Sequence, residues 1–216
     1  MMQGLSTLRG RYFVTGTNTN VGKTWVSVRL LEAAREAGLS CYGLKPIAAG
    51  SEDTDDGLRN EDAEALLEAA SIKLDYELVN PVAFREPVAP HILAQRQGMN
   101  LTAERLAGYV NGALMTQKAD LVLVEGAGGW YVPINQRETL ADLARRLGLP
   151  VILVVGMELG CLNHALLTAE AIRRDGLELA GWIANFLHDD MNAGEENFRT
   201  LEAMLHAPCL GRTDRN

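Results

Sequence analysis

The chain lacks any apolar run long enough to cross a membrane. A spanning helix needs about 18 or more consecutive apolar residues, and no stretch of the 216 residues approaches that length. Residues 1–10 contain a single arginine and no apolar segment of signal-peptide length. We therefore expect them to form a short disordered lead. These absences predict a cytoplasmic protein that does not bind a membrane.

Basic clusters and a cysteine framework are also missing. The net charge is −8 at pH 7, with no basic run, so we expect neither nucleic acid nor an anionic membrane as the main partner. The three cysteines, Cys41, Cys161 and Cys209, are odd in number and lack the spacing of a metal site. We expect them to be buried thiols of a cytoplasmic protein.

What the chain does contain is a repeated alternation of apolar runs and helical patterns. Strands are predicted at 12–14, 41–46, 121–124, 151–155 and 179–185. Helices are predicted at 23–37, 101–116, 139–147, 162–174 and 195–205, and one more helix is predicted to begin after Asn60, which would cap it. Residues 50–60 are polar and residues 80–90 hold three prolines, so both are expected to be irregular connections. The alternation predicts one α/β domain over 1–216, a mostly parallel sheet with helices on both faces.

The first of these units carries a pattern typical of phosphate binding. Its strand leads into Gly-Thr-Asn-Thr-Asn-Val-Gly-Lys-Thr at 16–24 (the phosphate loop), and a helix follows. Backbone N–H groups of such a loop and the positive helix N-terminus attract phosphates, Lys23 would reach the β/γ-phosphates, and Thr24 would bind Mg²⁺. The strict pattern has glycine where Thr17 stands. An ordinary strand-to-helix turn with a surface lysine is the alternative, but the flanking strand and helix favour a nucleotide site.

Two further strands end in charged residues. Ligands of parallel sheets bind beyond the carboxyl ends of the strands, where Lys45 and Glu125 are found. Lys45 alone could be a solvated surface lysine. Glu125 follows four apolar residues and would be costly to bury unless it were paired or metal-bound. Thr24, Glu125 and Asp62 could supply the oxygen ligands that Mg²⁺ prefers, although Asp62 could instead interact with the dipole of its helix.

Other polar and aromatic residues give weaker signals. Gly160 and Asn163 open the helix at 162–174 and form a second possible anion site. No arrangement typical of a Ser/His/Asp or Cys/His triad is present. His91 and His164 are expected to be buried, hydrogen-bonded histidines, and Trp25, Trp130 and Trp182 are expected to be packing residues.

Taken together, the motifs resemble the dethiobiotin synthetase family over roughly residues 11–211. The resemblance rests on separate motifs at 12–24, 43–46 (Gly-x-Lys-Pro), 57–62 (Gly-Leu-Arg-Asn-x-Asp), 80–81, 90–91, 124–130 (Val-Glu-Gly-Ala-Gly-Gly-Trp), 160–165 (Gly-Cys-Leu-Asn-His-Ala) and 181–185 (Gly-Trp-Ile-Ala-Asn). It implies the fold of a P-loop NTPase and an ATP-dependent cyclo-ligase of biotin biosynthesis.

The reaction implied by the resemblance converts 7,8-diaminopelargonic acid, CO₂ and ATP into dethiobiotin, ADP and phosphate. One amine takes up CO₂ as a carbamate, and a carbamate oxygen attacks the γ-phosphate to give a carbamic–phosphoric anhydride. The second amine closes the ureido ring and expels phosphate. The resemblance further implies Mg²⁺ as cofactor, ATP as co-substrate, small molecules as partners, and a homodimer with substrate sites near the subunit interface.

Each implied role is carried over to a numbered residue of this chain. The catalytic residues are Lys45 and Lys23, and the metal ligands are Thr24, Asp62 and Glu125. The nucleotide-binding residues are Asn20, Val21, Gly22, Lys23, Thr24, Trp25, Glu125, Gly126, Ala127, Gly128, Asn185 and Phe186. The substrate-binding residues are Thr19, Lys45, Ala49, Gly128, Gly160, Cys161 and Asn163.

The chain departs from the family pattern at three places. The family often has an acid where Asn20 stands and a substrate-contacting serine where Ala49 stands; one lost hydroxyl contact is worth about 1 kcal/mol. Family members usually continue beyond Gly211 through a proline-containing, base-contacting loop and a last helix. Here a polar tail at 212–215 follows, and we expect this usual segment to be short or missing and adenine recognition to be altered.

Three alternatives remain beside the ligase. Partition and septum-positioning ATPases share this fold but carry a second lysine near the position of Asn18, which this chain lacks. The amidase-like domain of cobyrinate amidation would need a glutaminase partner domain. A degenerate member that binds nucleotide without turnover is the third.

Overall fold

The computed structural model describes residues 8–188 and 191–214, with Asp214 described in its backbone only. Most of the expected disordered lead, residues 1–7, lies outside the described residues, and Gly10 already begins the first strand. Within the described part, no helix combines the length and apolar character that a membrane span requires.

The main strands alternate with helices along the chain as predicted, and additional short strands and helices lie between residues 48 and 96. The strands are β1 (Gly10–Gly16), β2 (Cys41–Leu44), β3 (Ala48–Ala49), β4 (Glu52–Thr54), β5 (Gly57–Arg59), β6 (Ala83–Phe84), β7 (Leu121–Gly129), β8 (Val151–Met157), β9 (Leu179–Phe186) and β10 (Cys209–Asp214). The helices are α1 (Lys23–Glu36), α2 (Glu61–Ala69), α3 (Tyr76–Val79), α4 (Pro90–Arg96), α5 (Ala103–Thr116), α6 (Leu140–Leu147), α7 (Cys161–Arg174) and α8 (Gly194–Met204).

Six strands form the central sheet in the order β2-β7-β1-β8-β9-β10. Every neighbouring pair is parallel. Side chains alternate between the faces of a strand, so Leu121 and Leu123 of β7 pack with α1 in one hydrophobic cluster. Val122 and Val124 pack with α5 and α6 in the other. The predicted parallel sheet with helices on both faces is therefore confirmed.

The two segments predicted to be irregular contain short strands. Glu52 pairs with Arg59 in the antiparallel β4-β5 hairpin, and β3 pairs in parallel with β6 inside residues 80–90. Residues 212–214 of the polar tail extend β10 along the edge of the sheet. The short strands β3 to β6 have only two or three residues, and the end of the edge strand β10 is polar. None of them has the apolar alternation from which a strand can be predicted.

Helix ends follow the sequence closely, with one exception. Thr102 caps α5 by accepting a hydrogen bond from the Arg105 N–H, and Gly38 follows α1 in the left-handed region at φ +74°. Asn60 stands at the start of α2, but its side chain makes no capping hydrogen bond. Instead its Nδ2 donates to the carbonyl groups of Ala49 and Gly50.

Candidate active site

The phosphate loop lies at the carboxyl end of β1 and turns directly into α1. The Thr17 N–H donates to Val154 O at 3.0 Å, so the loop is anchored to β8. Lys23 folds back over the loop and donates to Asn18 O at 3.3 Å, with only 7% of the residue exposed. The loop therefore holds its lysine close to its own backbone.

Glycine is required twice in this loop. Gly22 has φ +81°, and a Cβ there would lie 2.1 Å from Asn185 Nδ2. A Cβ on Gly16 would lie 2.6 Å from Val21 Cγ2. Both distances are too short for any side chain, whereas the position of Thr17 accepts one. The deviation from the strict motif at that position is compatible with the loop.

Lys45, Glu125 and Asp62 form the charged centre of the site. Leu44 of β2 pairs with Val124 of β7, which places the next residues, Lys45 and Glu125, side by side at the strand ends. Lys45 Nζ donates to Glu125 Oε1 at 2.7 Å, to Asp62 Oδ2 at 3.0 Å and to the Gly126 carbonyl at 3.3 Å. All three ammonium protons thus have acceptors, and Lys45 is buried rather than a solvated surface lysine.

The two hydroxyl groups of α1 complete the surroundings of Glu125. Thr24 Oγ1 donates to Glu125 Oε1 at 2.6 Å, and Ser27 Oγ donates to Glu125 Oε2 at 2.7 Å. Glu125 has no exposed surface, so this paired environment offsets the cost of burying its charge.

Burial and charge act in opposite directions on these groups. Burial, together with the neighbouring Lys45 cation, lowers the pKa of Lys23 to about 8. Burial would also lower the pKa of Lys45, but the Glu125 and Asp62 carboxylates outweigh it and raise that pKa. Burial acts to raise the pKa of Asp62, and the charge of Lys45 together with its hydrogen bond brings that pKa below its usual range. At neutral pH Lys45 is a cation held between two carboxylates.

The predicted metal ligands converge on the same point. Thr24, Glu125 and Asp62 surround a position that Lys45 Nζ reaches, and a cation is already stabilised there. A hydroxyl and two carboxylates are hard oxygen donors suited to Mg²⁺ when phosphate oxygens complete the shell. Among the described residues, no cluster of three or more His, Cys, Asp or Glu side chains could bind a metal unaided.

The glycine-rich end of β7 faces the phosphate loop. Gly128 has φ +68°, and a Cβ there would lie 3.3 Å from Thr19 Oγ1 and 2.8 Å from Val132 Cγ2. The predicted substrate contacts Thr19 and Gly128 are therefore neighbours. A cavity of about 550 Å³ opens beside them, between the loop, residues 129–133 and the later turns of α7, including Leu167.

The start of α7 lies at the surface. Gly160 has φ +96° and precedes the helix, Cys161 is buried, and Asn163 is exposed. The preceding Leu159 is 99% exposed. Ala49 lies in β3 and is half-buried. The roles of Gly160, Cys161, Asn163 and Ala49 as substrate contacts remain predictions.

Three of the predicted nucleotide-binding residues lie at the end of β9 and on α1. Asn185 is fully buried, and its Nδ2 donates to Val21 O at 2.8 Å. The Phe186 ring packs 4.2 Å from the Arg212 guanidinium. Trp25 is half-buried on α1, with Arg29 5.2 Å from its ring. These contacts do not test the predicted roles of the three residues toward the nucleotide.

Two residues of the site, Ser27 and Thr213, were not predicted from the sequence. Ser27 is one helical turn from Thr24 on the same face of α1, and that spacing could have revealed it. The Thr213 hydroxyl donates a hydrogen bond to Asn185 Oδ1, and no local sequence pattern predicted this contact.

The expected hydrogen bonding of His91 is incomplete, since its buried Nδ1 has no partner among the described residues.

The site and fold together define a P-loop NTPase. A family model described as an AAA domain matches residues 10–216. A ParA family ATPase from Chlorobium tepidum TLS superposes with a TM-score of 0.57 at 14% identity, over 97% of this chain and 86% of that one. The cell division protein FtsY from Thermotoga maritima gives 0.55 at 16% identity, over 94% and 60%. At these identities the likeness concerns the fold alone.

The sequence comparison is more specific: the chain belongs to the dethiobiotin synthetase family. It is 57% identical to the ATP-dependent dethiobiotin synthetase BioD of Pseudomonas aeruginosa UCBPP-PA14 and 56% identical to that of Cellvibrio japonicus Ueda107. It is 49% identical to BioD 1 of Escherichia coli O157:H7. Each alignment covers 94% of this chain and 89% of the relative.

Proposed function

We propose that this protein is an ATP- and Mg²⁺-dependent cyclo-ligase of biotin biosynthesis, which forms the ureido ring of dethiobiotin from 7,8-diaminopelargonic acid and CO₂. The observation that carries the proposal is the buried Lys45 ammonium beside the phosphate loop, paired with Glu125 at 2.7 Å. The identity with proteins named ATP-dependent dethiobiotin synthetase supports the same reaction.

The chemistry suits what these residues can provide. One amine of the substrate adds to CO₂ and loses a proton, giving a carbamate. A carbamate oxygen attacks the γ-phosphorus and ADP leaves, which yields the carbamic–phosphoric anhydride. The second amine then attacks the carbamate carbon, phosphate departs, and the ring closes. Carbamate and γ-phosphate are both anionic, so the cations of Lys23 and Lys45 stabilise their approach.

A magnesium ion would be held by Thr24, Glu125 and Asp62 together with phosphate oxygens. When bound, it neutralises charge on the phosphates and orients them for transfer. Because Lys45 is hydrogen-bonded to both of those carboxylates, it lies next to this position and can face the transferred phosphoryl group.

The remaining contacts are proposed from the family pattern and from position. Nucleotide would contact the loop residues Asn20, Val21, Gly22, Lys23, Thr24 and Trp25, the strand end Glu125, Gly126, Ala127 and Gly128, and Asn185 with Phe186. The diamine would contact Thr19, Lys45, Ala49 and Gly128, and its carboxylate the helix start at Gly160, Cys161 and Asn163. The contact between Gly128 and Thr19 supports a shared substrate pocket at this end of β7.

We also propose a homodimer of single-domain subunits that uses the α7 face. Three large apolar side chains on and around α7 support it, since they are exposed without cover: Leu159 (99%), Leu167 (59%) and Tyr131 (45%). Exposed apolar patches of this kind mark interaction surfaces. Leu167 and Tyr131 also line the cavity beside the phosphate loop, which would bring the interface close to the substrate site.

The proposal is tested by phosphate release from Mg-ATP with and without diaminopelargonic acid and bicarbonate. We expect release to require both compounds and to match dethiobiotin formation in amount. Release that ignores the diamine would contradict the ligase and favour a switch-like ATPase. ATP binding without any release would favour the degenerate, non-catalytic member.

A further inference from the structure

A chain of buried polar groups joins the edge strand β10 to the phosphate loop. Thr213 is 3% exposed and its hydroxyl donates to Asn185 Oδ1. Asn185 Nδ2 in turn donates to the Val21 carbonyl at 2.8 Å. One asparagine side chain therefore connects two sheet strands with a loop that lies far away in the sequence.

The partners of Asn185 fix the orientation of its amide. The Val21 carbonyl can only accept a hydrogen bond, so the amide nitrogen must face it. The amide oxygen then faces Thr213, which stands opposite Asn185 in the parallel register of β9 and β10 and can donate to it. Without that hydroxyl the buried oxygen would have no donor, and the orientation would lose its support.

The contact reaches the part of the loop that binds phosphate. A Cβ on Gly22 would lie 2.1 Å from Asn185 Nδ2, so the amide lies directly against the peptide that joins Val21 to Gly22. In a planar trans peptide the C=O and N–H point in opposite directions. Since the Val21 carbonyl points at Asn185, the Gly22 N–H points away from β9, one residue before Lys23.

We propose that Thr213 is a positioning residue for nucleotide binding, which acts through Asn185 to hold the Val21–Gly22 peptide in the orientation that binds phosphates. The inference rests on the nucleotide binding contained in the proposed function. On this inference the Asn185 amide orients the peptide that binds the phosphates. That role is separate from the adenine contact that the family pattern implies.

The test compares ATP, which carries an adenine base, with inorganic tripolyphosphate, which carries no nucleobase. Dissociation constants for ATP and for inorganic tripolyphosphate are measured by calorimetry, at one magnesium concentration, for the parent protein, Thr213→Val and Thr213→Ser. We expect Thr213→Val to weaken both ligands by about tenfold, the scale of one buried hydrogen-bond partner. Thr213→Ser retains the hydroxyl and should bind both ligands like the parent.

Two further variants guard against a trivial result. Asn185→Asp keeps the shape and the acceptor for Thr213 but cannot donate to Val21, so it should weaken both ligands even if Thr213→Val fails to fold. Thr116→Val is the matched control, because within the described part of the chain that hydroxyl bonds to carbonyl groups of its own helix. It should leave both constants unchanged.

Steady-state kinetics add a readout that general destabilisation would not move. The KM for ATP should rise in Thr213→Val, with kcat at saturating ATP within about twofold of the parent. Unchanged constants in Thr213→Val and Asn185→Asp, or a loss confined to ATP, would overturn the inference. A parent protein that binds both ligands but forms no dethiobiotin would instead overturn the proposed function and leave the inference standing.

Discussion

Lys45 Nζ lies 2.7 Å from Glu125 Oε1, although the two residues are 80 positions apart in the chain. The contact follows from the register of β2 on β7, in which Leu44 stands opposite Val124. The pair is buried and also reaches Asp62 and Thr24. In the proposed function, this lysine and carboxylate at adjacent strand ends would supply a cation for the phosphates and an acid for the metal.

Replacing Lys45 by methionine should abolish most of the activity. Methionine keeps the length of the side chain but removes the cation that, in the proposed mechanism, faces the carbamate and the γ-phosphate. We expect kcat to fall by about 100-fold or more, the scale of one lost electrostatic contact in a transition state. Dethiobiotin formation under saturating substrates measures it.

Lys118→Met is the matched control for this experiment, since Lys118 is exposed on the surface. It should keep the parent rate. Full turnover by Lys45→Met would show that the buried ammonium is dispensable and would remove Lys45 from the catalytic residues.

Replacing Glu125 by glutamine should change the response to magnesium. The amide retains the shape but loses the charge that pairs with Lys45 and that the proposed Mg²⁺ would need. We expect the Mg²⁺ concentration for half-maximal rate to rise by about tenfold or more. Asp62→Asn should cause a smaller rise, because that side chain is 46% exposed. An unaltered magnesium dependence in Glu125→Gln would contradict the metal assignment.

The stability of the unliganded protein should respond to the lowered pKa of Lys23. The pKa falls from 10.5 in the unfolded chain to about 8 in the fold. Between these pH values the unfolded state binds more protons, so stability rises with pH. Below pH 8 the charged lysine destabilises the fold by at most about 3 kcal/mol.

Lys23→Met removes this titration and provides the comparison. At pH 7, without Mg²⁺ or nucleotide, the variant should be more stable than the parent protein in denaturant unfolding. Its advantage should shrink as the pH rises through 8 toward 10.5. A constant difference across that range would be inconsistent with a lowered pKa at Lys23.

Ser27 should matter although it touches neither phosphate nor the proposed metal. Its hydroxyl is the donor to Glu125 Oε2, and Ser27→Ala would leave a buried carboxylate oxygen without it. We expect a loss of about 1–3 kcal/mol in unfolding free energy together with a lower kcat. Ser71→Ala, which removes backbone hydrogen bonds near β2, should cost stability but leave kcat intact. Equal kcat values for the two variants would contradict a role through Glu125.

The position of the proposed dimer interface can be tested by introducing one charged side chain into it. Leu159→Glu places a carboxylate in the proposed α7 face and should convert the dimer to a monomer in sedimentation velocity. Met115→Glu is the matched control, since Met115 is also a strongly exposed apolar residue, at 88%, but lies on α5. Dissociation by Met115→Glu rather than Leu159→Glu would place the interface elsewhere.

The sequence predicted those features that local patterns encode. The apolar run 121–124 marked β7 as buried, which made Glu125 conspicuous. Spacing after Gly22 predicted α1, and the Gly-Lys-Thr at its start predicted the phosphate loop. These elements carry their own periodicity or their own special residues, so no knowledge of their neighbours was needed.

Other features depend on which elements become neighbours, and a single sequence does not encode that directly. That Lys45 meets Glu125 depends on β2 lying next to β7. The contact of Thr213 with Asn185 requires β10 at the sheet edge, and the polar residues of β10 gave no strand signal. The β4-β5 hairpin was missed because its strands are only three residues long and mostly polar, which is too short for an apolar alternation to be recognised.

The most direct test of the central claim follows the carbon of the ureido ring. The purified protein is incubated with diaminopelargonic acid, Mg-ATP and ¹³C-bicarbonate, and products are measured by mass spectrometry alongside released phosphate. We expect dethiobiotin labelled at the ureido carbonyl, in equal amount to phosphate and ADP. Phosphate released without labelled dethiobiotin would contradict that claim.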